Sequence, residues 1–104
     1  MGVLIYGARV SELEIEDRTL AHLQFVVATK LRRNEQFMLT WNHGVERGSG
    51  RSAIWISPYI PVHFKFNGGR APKLNRAWLE AMLDGANSPA GLHPTPEPTA
   101  GAAE

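Results

Sequence analysis

Apolar and polar residues alternate with a period of two in several short stretches of the chain, and this alternation predicts β-strands. The clearest case lies between residues 52 and 66. Its alternating apolar positions are Ile54, Ile56, Val62, Phe64 and Phe66. Pro58 and Pro61 separate the two halves, and proline is tolerated in turns and at sheet edges. The stretch therefore predicts two half-buried strands joined by a turn.

Three further segments show a strand pattern. Residues 3–6 and 10–16 predict a hairpin around Gly7, because apolar positions recur on both sides of a residue that turns easily. Residues 36–42 predict a fifth strand. The polar side of the second strand carries Glu12, Glu14 and Glu16. A glutamate row of this kind is typical of a solvated face that discourages edge-to-edge pairing, and we prefer this interpretation to a metal site.

Two stretches have the three- and four-residue spacing of an amphipathic helix. In the first, the apolar positions are Leu20, Leu23, Val27 and Leu31. We expect Asp17 to be its N-cap, because a carboxylate accepts hydrogen bonds from the free N–H groups of a first turn. His22 is expected at a surface or boundary position. In the second helix, Asn75 is the predicted N-cap and Gly85 the predicted end.

The predicted elements follow the order ββαβββα, and this order defines the fold class. Short connections favour an approximately five-stranded, mostly antiparallel sheet with both helices packed on one side, a two-layer α+β fold. We expect one domain over residues 1–85, a length that suits a single core. Residues 86–104 are rich in Pro, Ala, Gly and Thr, so a disordered C-terminal tail is predicted.

Composition narrows the class of protein. The 104 residues include no cysteine, which excludes a disulfide framework and a thiolate metal site. The four histidines are far apart in the sequence, so no metal site is predicted. The chain shows neither a signal-peptide pattern nor an apolar run of roughly 18 residues, the length that a membrane helix needs. We therefore expect a soluble, cytoplasmic protein.

Positive charge is concentrated in the middle of the chain. Residues 18–76 contain ten basic and two acidic side chains, a net charge of +8, whereas the full chain carries +1. This imbalance suits an anionic partner, and nucleic acid is the commonest one. The residues predicted to contact DNA or RNA are Arg47, Arg51, Lys65, Arg70, Lys73 and Arg76. The alternative, that they form ordinary solvated faces, stays open.

Aromatic residues and serines add candidate chemistry. Trp41, Trp55 and Tyr59 are candidates for stacking on bases, with core packing as the alternative. The glycine-rich loop at residues 42–51 lacks the full G-x-x-x-x-G-K-[ST] pattern of a P-loop. No serine lies in a nucleophile elbow. These motifs do not indicate an enzyme class, although a general acid–base pair assembled by the fold stays open.

The segment KFNGGR at residues 65–70 has the spacing K-x-N-G-x-R. It resembles the K-x-D-G-x-R motif of ATP-dependent DNA ligases and related nucleotidyltransferases, in which the lysine attacks the α-phosphate of ATP and carries AMP. The resemblance implies Lys65 as nucleophile, Arg70 as a phosphate contact, and ATP with magnesium as cofactors. Asn67 differs from the motif, since an amide does not supply a carboxylate. The structural alternative is a strand that ends in a Gly-Gly turn.

A second resemblance spans nearly the whole chain. The segments that carry it are GVLIYG, EDRTLAHL, TKLRRNEQFMLTW, HGVERGSGRSAIWI and PKLNRAWLEAM. They are similar to segments of a family of short proteins from high-GC bacteria that are commonly labelled "ATP-dependent DNA ligase". The resemblance implies a bacterial protein with ligase-type activity or a role as a ligase accessory.

Three hypotheses of function follow. The first, which we favour, is a non-catalytic module that contacts DNA or RNA and needs no cofactor. The second is the ligase-type enzyme or accessory, with Lys65 carrying AMP. The third is a protein-interaction subunit that forms a homodimer through an apolar edge and the acidic hairpin.

Overall fold

In the described part of the chain, seven secondary-structure elements follow one another in the predicted order. The structure is a computed structural model that describes residues 1–7, 11–43, 48 and 50–98. Its strands are β1 (Gly2–Tyr6), β2 (Ser11–Ile15), β3 (Phe37–Asn42), β4 (Arg51–Ile56) and β5 (Val62–Lys65). Its helices are α1 (Asp17–Arg32) and α2 (Arg76–Ala86). The prediction of an α+β fold with two helices and about five antiparallel strands is confirmed.

The strands form two sheets, where the sequence predicted one. The first sheet has the order β2-β1-β5, and the second pairs β3 with β4. The strongest strand stretch of the sequence is therefore divided between the sheets, because β5 pairs with β1 and β4 with β3. Tyr6 connects the two sheets: its hydroxyl donates to the Trp55 carbonyl at 2.8 Å and accepts from the Ser57 N–H at 2.9 Å.

The core lies between the strands and the two helices. Helix α1 packs against β1 and α2, and α2 packs against β3. The buried apolar residues are Leu4, Leu13, Leu20, Leu23, Val26, Val27, Phe37, Leu39, Ile56, Trp78, Met82, Ala86 and Leu92. The apolar positions of α1 that recur at three- and four-residue spacing thus face the core, as its sequence pattern predicts. No described helix is long and apolar enough to cross a membrane.

The two helix starts differ in how well the sequence predicted them. Asn75 is the N-cap of α2, since its side chain accepts a hydrogen bond from the Trp78 N–H, and this prediction is confirmed. Helix α2 ends one residue beyond Gly85. The N-cap of α1 is Glu16, so the prediction for Asp17 is wrong. The Asp17 carboxylate instead bonds backbone N–H groups some 50 residues away in sequence.

The chain beyond α2 also differs from the prediction, which placed residues 86–104 in a disordered tail. Leu92 is fully buried, and it bridges to β3: its N–H donates to the Met38 carbonyl at 2.8 Å, and its carbonyl accepts from the Thr40 N–H at 2.9 Å. We call residues 91–97 the C-terminal strap. At Leu92, one apolar anchor and two backbone hydrogen bonds attach it to β3, although its composition is that of a disordered segment. Residues 99–104 lie outside the described part of the chain.

Candidate nucleic-acid interface

The basic residues predicted to contact nucleic acid lie on different parts of the surface. Arg51 is exposed at the start of β4, and Lys65 is exposed at the end of β5. Three lie together on the exposed segment that leads into α2, namely Arg70, Lys73 and Arg76. Arg47 lies outside the described residues. The structure therefore keeps one group of the predicted residues together and separates Arg51 from it.

A grooved surface runs along α1, where the chain segment 66–76 and helix α2 lie beside it. Three adjoining grooves lie there, with volumes of about 200, 310 and 210 Å³. The first and second share Ala21, Gln24, Ala71 and Pro72, and the second and third share Phe25. Each groove has one arginine in its wall: Arg70 in the first, Arg32 in the second and Arg76 in the third.

Apolar side chains are exposed between these arginines. Phe25 is 48% exposed and Leu74 is 40% exposed. We call the surface formed by Phe25, Arg32, Arg70, Leu74 and Arg76 the basic face. Lys73, which is also exposed, directly precedes Leu74 in the sequence. An exposed aromatic ring among cations is the combination that binds single-stranded nucleic acid, because every base has a face that stacks and every nucleotide carries a phosphate.

Sequence reasoning missed two members of the basic face. Neither Phe25 nor Arg32 is among the residues that the sequence predicted to contact nucleic acid. A signal for both was present, because residues seven apart lie on the same side of a helix, and Phe25 and Arg32 have that spacing. What the spacing did not show is that this side of α1 is left partly uncovered and meets the segment that carries Arg70.

A buried histidine attaches that segment to α1. His22 is fully buried, so the prediction of a surface or boundary position is wrong. Its Nε2 accepts the Asn75 N–H at 2.8 Å, and its Nδ1 lies 2.8 Å from the Arg18 carbonyl. Because the N–H of Asn75 only donates, Nε2 is the acceptor nitrogen and Nδ1 carries the proton. The ring also packs on Trp78, with centroids 4.4 Å apart.

An ion pair attaches the C-terminal strap to the same segment. The Arg18 guanidinium donates to both Glu97 carboxylate oxygens at 2.8 Å, and a third N–H donates to the Lys73 carbonyl at 3.1 Å. The Asn75 side chain donates to Glu97 at 3.0 Å. The hydrogen bond from Arg18, followed by the one from Asn75, lowers the pKa of Glu97 to about 2 and stabilises its charged form. The same pairing raises the pKa of Arg18.

The lowered pKa of Glu97 makes the attachment of the strap depend on pH. We expect Glu97→Gln to destabilise the protein near neutral pH, where the wild-type carboxylate is charged in the folded and unfolded states. A depressed pKa stabilises the fold above the ordinary value of 4.5, and this contribution disappears as the pH falls towards about 2. The difference in urea midpoint between wild type and variant should therefore be constant above 4.5 and vanish in acid.

Glu80→Gln is the matched control for that measurement. Glu80 is 70% exposed and pairs with Arg76 at 3.6 Å, and a surface pair of this kind contributes little to stability. Its substitution should leave the pH profile of stability close to that of wild type. A pH profile that changes equally in both variants would contradict the role assigned to Glu97.

The ligase-like segment is joined to the start of α1. The N–H groups of Asn67 and Gly68 donate to the two oxygens of Asp17 at 3.1 and 2.8 Å. These bonds, the one from Gly68 first, lower the pKa of Asp17. Two backbone donors of the turn are therefore bonded to a carboxylate of the same chain. Lys65 is exposed on the adjoining strand.

Other candidate residues lie away from the basic face. Trp55 and Tyr59 are exposed, but they do not line its grooves, and the Trp55 indole N–H donates to Gln36 at 2.6 Å. Trp41 is partly buried against the core. The fold brings His43 within 2.6 Å of the Ser52 hydroxyl, an exposed pair that the sequence did not predict. The described residues contain no cluster of three or more His, Cys, Asp or Glu that could hold a metal ion.

The chain is a small α+β domain in which the exposed Phe25 lies in the wall of two grooves, one with Arg32 and the other with Arg76. The chain belongs to the family described as a domain of unknown function, DUF7882, which matches residues 1–97. The match therefore includes the strap as far as Glu97. No curated protein and no solved structure matches the chain. The match shows membership of this domain family. The ligase-type activity and the bacterial origin, which the resemblance in the sequence implied, stay predictions.

Proposed function

We propose that this domain is a non-catalytic module that binds single-stranded DNA or RNA through the basic face. The observation that carries the proposal is the exposed Phe25, which lies in the wall of two adjoining grooves while arginines occupy the walls of all three. Phosphates would contact the arginines, and a base would stack on the phenyl ring. A single strand suits the face because its bases are free to stack.

The charges of the basic face support this assignment. Within the described residues, neither Arg32 nor Arg70 forms a side-chain ion pair, and the pair of Arg76 with Glu80 is highly exposed. Other cations of the central segment are committed elsewhere. Arg18 pairs with Glu97, and Lys30 is buried, where its ammonium contacts the Asn87 side chain and pairs with Glu35. Three arginines of this segment, Arg32, Arg70 and Arg76, thus line the grooves that adjoin the exposed Phe25.

The first test removes two charges from the face. Arg32→Gln with Arg70→Gln should weaken binding of a labelled oligothymidylate, measured by fluorescence anisotropy. If both arginines contact phosphates, the slope of log affinity against log salt should become less steep by about 1.4, at about 0.7 per phosphate contact on a single strand. Measurements between about 50 and 200 mM salt cover the range in which this term is large.

A matched control removes the same charge elsewhere. Arg51→Gln with Lys65→Gln also changes the net charge by two, at predicted contact residues that do not line the grooves of the basic face. This variant should retain most of the affinity and the salt slope. Equal losses in the two double variants would contradict a localised face and indicate non-specific attraction. Absence of binding by wild type at about 50 mM salt would overturn the proposal.

Phe25→Ala tests the stacking part of the proposal. Stacking of one base on an aromatic ring contributes about 1–3 kcal/mol, so the affinity should fall by at least about fivefold. The salt slope should not change, because no phosphate contact is lost. An unchanged affinity would contradict the role of Phe25, and a change in slope would show that the ring positions the arginines instead.

The ligase-type alternative makes a separate prediction about Lys65. Incubation with ATP and magnesium would add the mass of one AMP, and Lys65→Ala would abolish the addition. Two backbone N–H groups of the motif are already bonded to Asp17, which favours the structural interpretation of this turn. The binding module predicts no adduct, and an adduct that depends on Lys65 would favour the ligase-type alternative.

A further inference from the structure

The outer side of the three-stranded sheet carries its charges in an ordered pattern. Residues opposite each other on neighbouring antiparallel strands point to the same side of a sheet. Two rows cross the sheet, each with an acid on β2, a branched apolar residue on β1 and a basic residue on β5: Glu14, Val3 and Lys65 in one, Glu12, Ile5 and His63 in the other. We call these six residues the outer sheet face.

The apolar centre of this face is incompletely covered. Val3 and Ile5 are only partly buried, whereas Leu4 between them points to the other side of the sheet and is buried in the core. The acids and bases on either side are exposed. Ile60 lies against Gly7 at the end of β1 and is 40% exposed, so a further apolar side chain adjoins the face. The pattern is an apolar strip with acids along one side and bases along the other.

We infer that the outer sheet face joins two copies of this chain in a two-fold symmetric dimer. An isologous interface must be complementary to itself. Rotation by a half-turn about an axis parallel to β1 exchanges the β2 side with the β5 side and keeps each level along the strand. The acids of one copy then face the bases of the other, and the central residues of β1 pack on their counterparts.

The charges also exclude a second symmetric dimer, in which the two-fold axis would lie in the plane of the sheet but run across the strands. A two-fold axis perpendicular to the strands would keep β2 over β2, so Glu12 and Glu14 would face the same acids of the second copy. Like charges placed opposite each other are unfavourable. Each row runs from an acid through an apolar residue to a base. The face is therefore complementary to a second copy of itself, in the orientation whose two-fold axis is parallel to β1.

The dimer should be weak and sensitive to salt. Three strands at about 4.8 Å spacing, with about 3.3 Å per residue along each strand, offer a small patch compared with a standard interface. We therefore expect self-association in the micromolar range or weaker, reduced as salt screens the charged rows. Helix α1 packs on the other side of this sheet, so dimerisation leaves the basic face accessible and does not depend on the proposed function.

Reciprocal charge reversal tests the inference by sedimentation velocity at low salt. One variant carries Glu12→Lys and Glu14→Lys, and the other carries His63→Glu and Lys65→Glu. Each should be monomeric at concentrations where wild type dimerises, because neither of its rows now offers an acid to face a base. A mixture of the two should form a heterodimer, and a variant with all four changes should dimerise again. Recovery in the mixture also shows that both variants are folded.

Cross-linking provides a second test that keeps the charges intact. The natural chain has no cysteine, so Ile5→Cys introduces one thiol next to the proposed two-fold axis. A bis-maleimide that spans about 10 Å, the usual spacing of sheets packed face to face, should join the two thiols and produce a covalent dimer. Ala81→Cys, at an exposed position of α2, is the matched control and should give much less. A wild type that stays monomeric, a dimer that both charge-reversed variants retain, or equal cross-linking of the two cysteine variants would each overturn the inference.

Discussion

Trp78→Ala is expected to lower the free energy of unfolding by about 3–5 kcal/mol, the usual cost of removing a large buried aromatic residue. Trp78 is 2% exposed in the first turn of α2, and its ring packs on His22. Its indole N–H donates to the Thr95 carbonyl at 3.1 Å. The side chain therefore connects α1, α2 and the C-terminal strap. Small domains have a total stability of about 5–15 kcal/mol, so this loss is a large fraction of the total.

Two controls separate packing from hydrogen bonding at this position. Trp78→Phe keeps most of the apolar contact but loses the indole donor, so we expect a smaller loss of about 1–2 kcal/mol. Trp55→Ala removes a tryptophan that is 53% exposed and should cost less than about 1 kcal/mol. Urea unfolding followed by far-UV circular dichroism measures all three without relying on tryptophan fluorescence. Equal losses for the two alanine variants would contradict the central position of Trp78.

Gly91→Ala is expected to detach the C-terminal strap and to lower the free energy of unfolding by about 2–4 kcal/mol. Gly91 has a φ of +87°, which residues with a Cβ rarely adopt. A Cβ at this position would lie 2.7 Å from the Met38 carbonyl oxygen, so the backbone would have to move. Leu92, which is fully buried, would then lose part of its packing against the core.

Glycines elsewhere in the chain supply the controls for Gly91→Ala. A Cβ added at Gly69 would have no heavy atom within 4 Å, and the φ of this residue is not positive, so Gly69→Ala should be nearly neutral. Gly48 has a φ of +89° with open space around it, so Gly48→Ala isolates the backbone cost of about 1 kcal/mol. Hydrogen exchange at the Thr40 and Leu92 amides reports on the strap directly. Unchanged protection of these amides in Gly91→Ala would contradict the expected detachment.

The strap and the basic face are linked through one short segment. Glu97 of the strap accepts from Arg18 and Asn75, and Arg18 also donates to the Lys73 carbonyl. Asn75 in turn donates to His22 and caps α2. These contacts hold the chain between β5 and α2 against α1, where part of that segment shares a groove with Phe25. The strap therefore belongs to the scaffold of the candidate site, in agreement with the extent of the family match to residue 97.

Local sequence patterns predicted the elements of this fold. The order ββαβββα, the core-facing positions of α1 and the cap at Asn75 all depend on residues a few positions apart, and the structure has all of them. The exposed cations from Arg70 to Arg76 are likewise neighbours in the sequence, and their role in nucleic-acid binding stays a prediction. Phe25 and Arg32 carried a helical spacing, but their exposure depends on what packs beside α1.

The chain alone thus determined which segments are helices and strands, because periodicity and caps are local properties. Tertiary structure decided how those segments pair: an alternating strand shows which of its sides is apolar, but not that β5 adjoins β1 while β4 adjoins β3. It also decided the roles of Asp17, His22 and Leu92, whose hydrogen-bond partners lie about 50 residues away in sequence. Such contacts form only when the core brings distant segments together, so no local pattern encodes them.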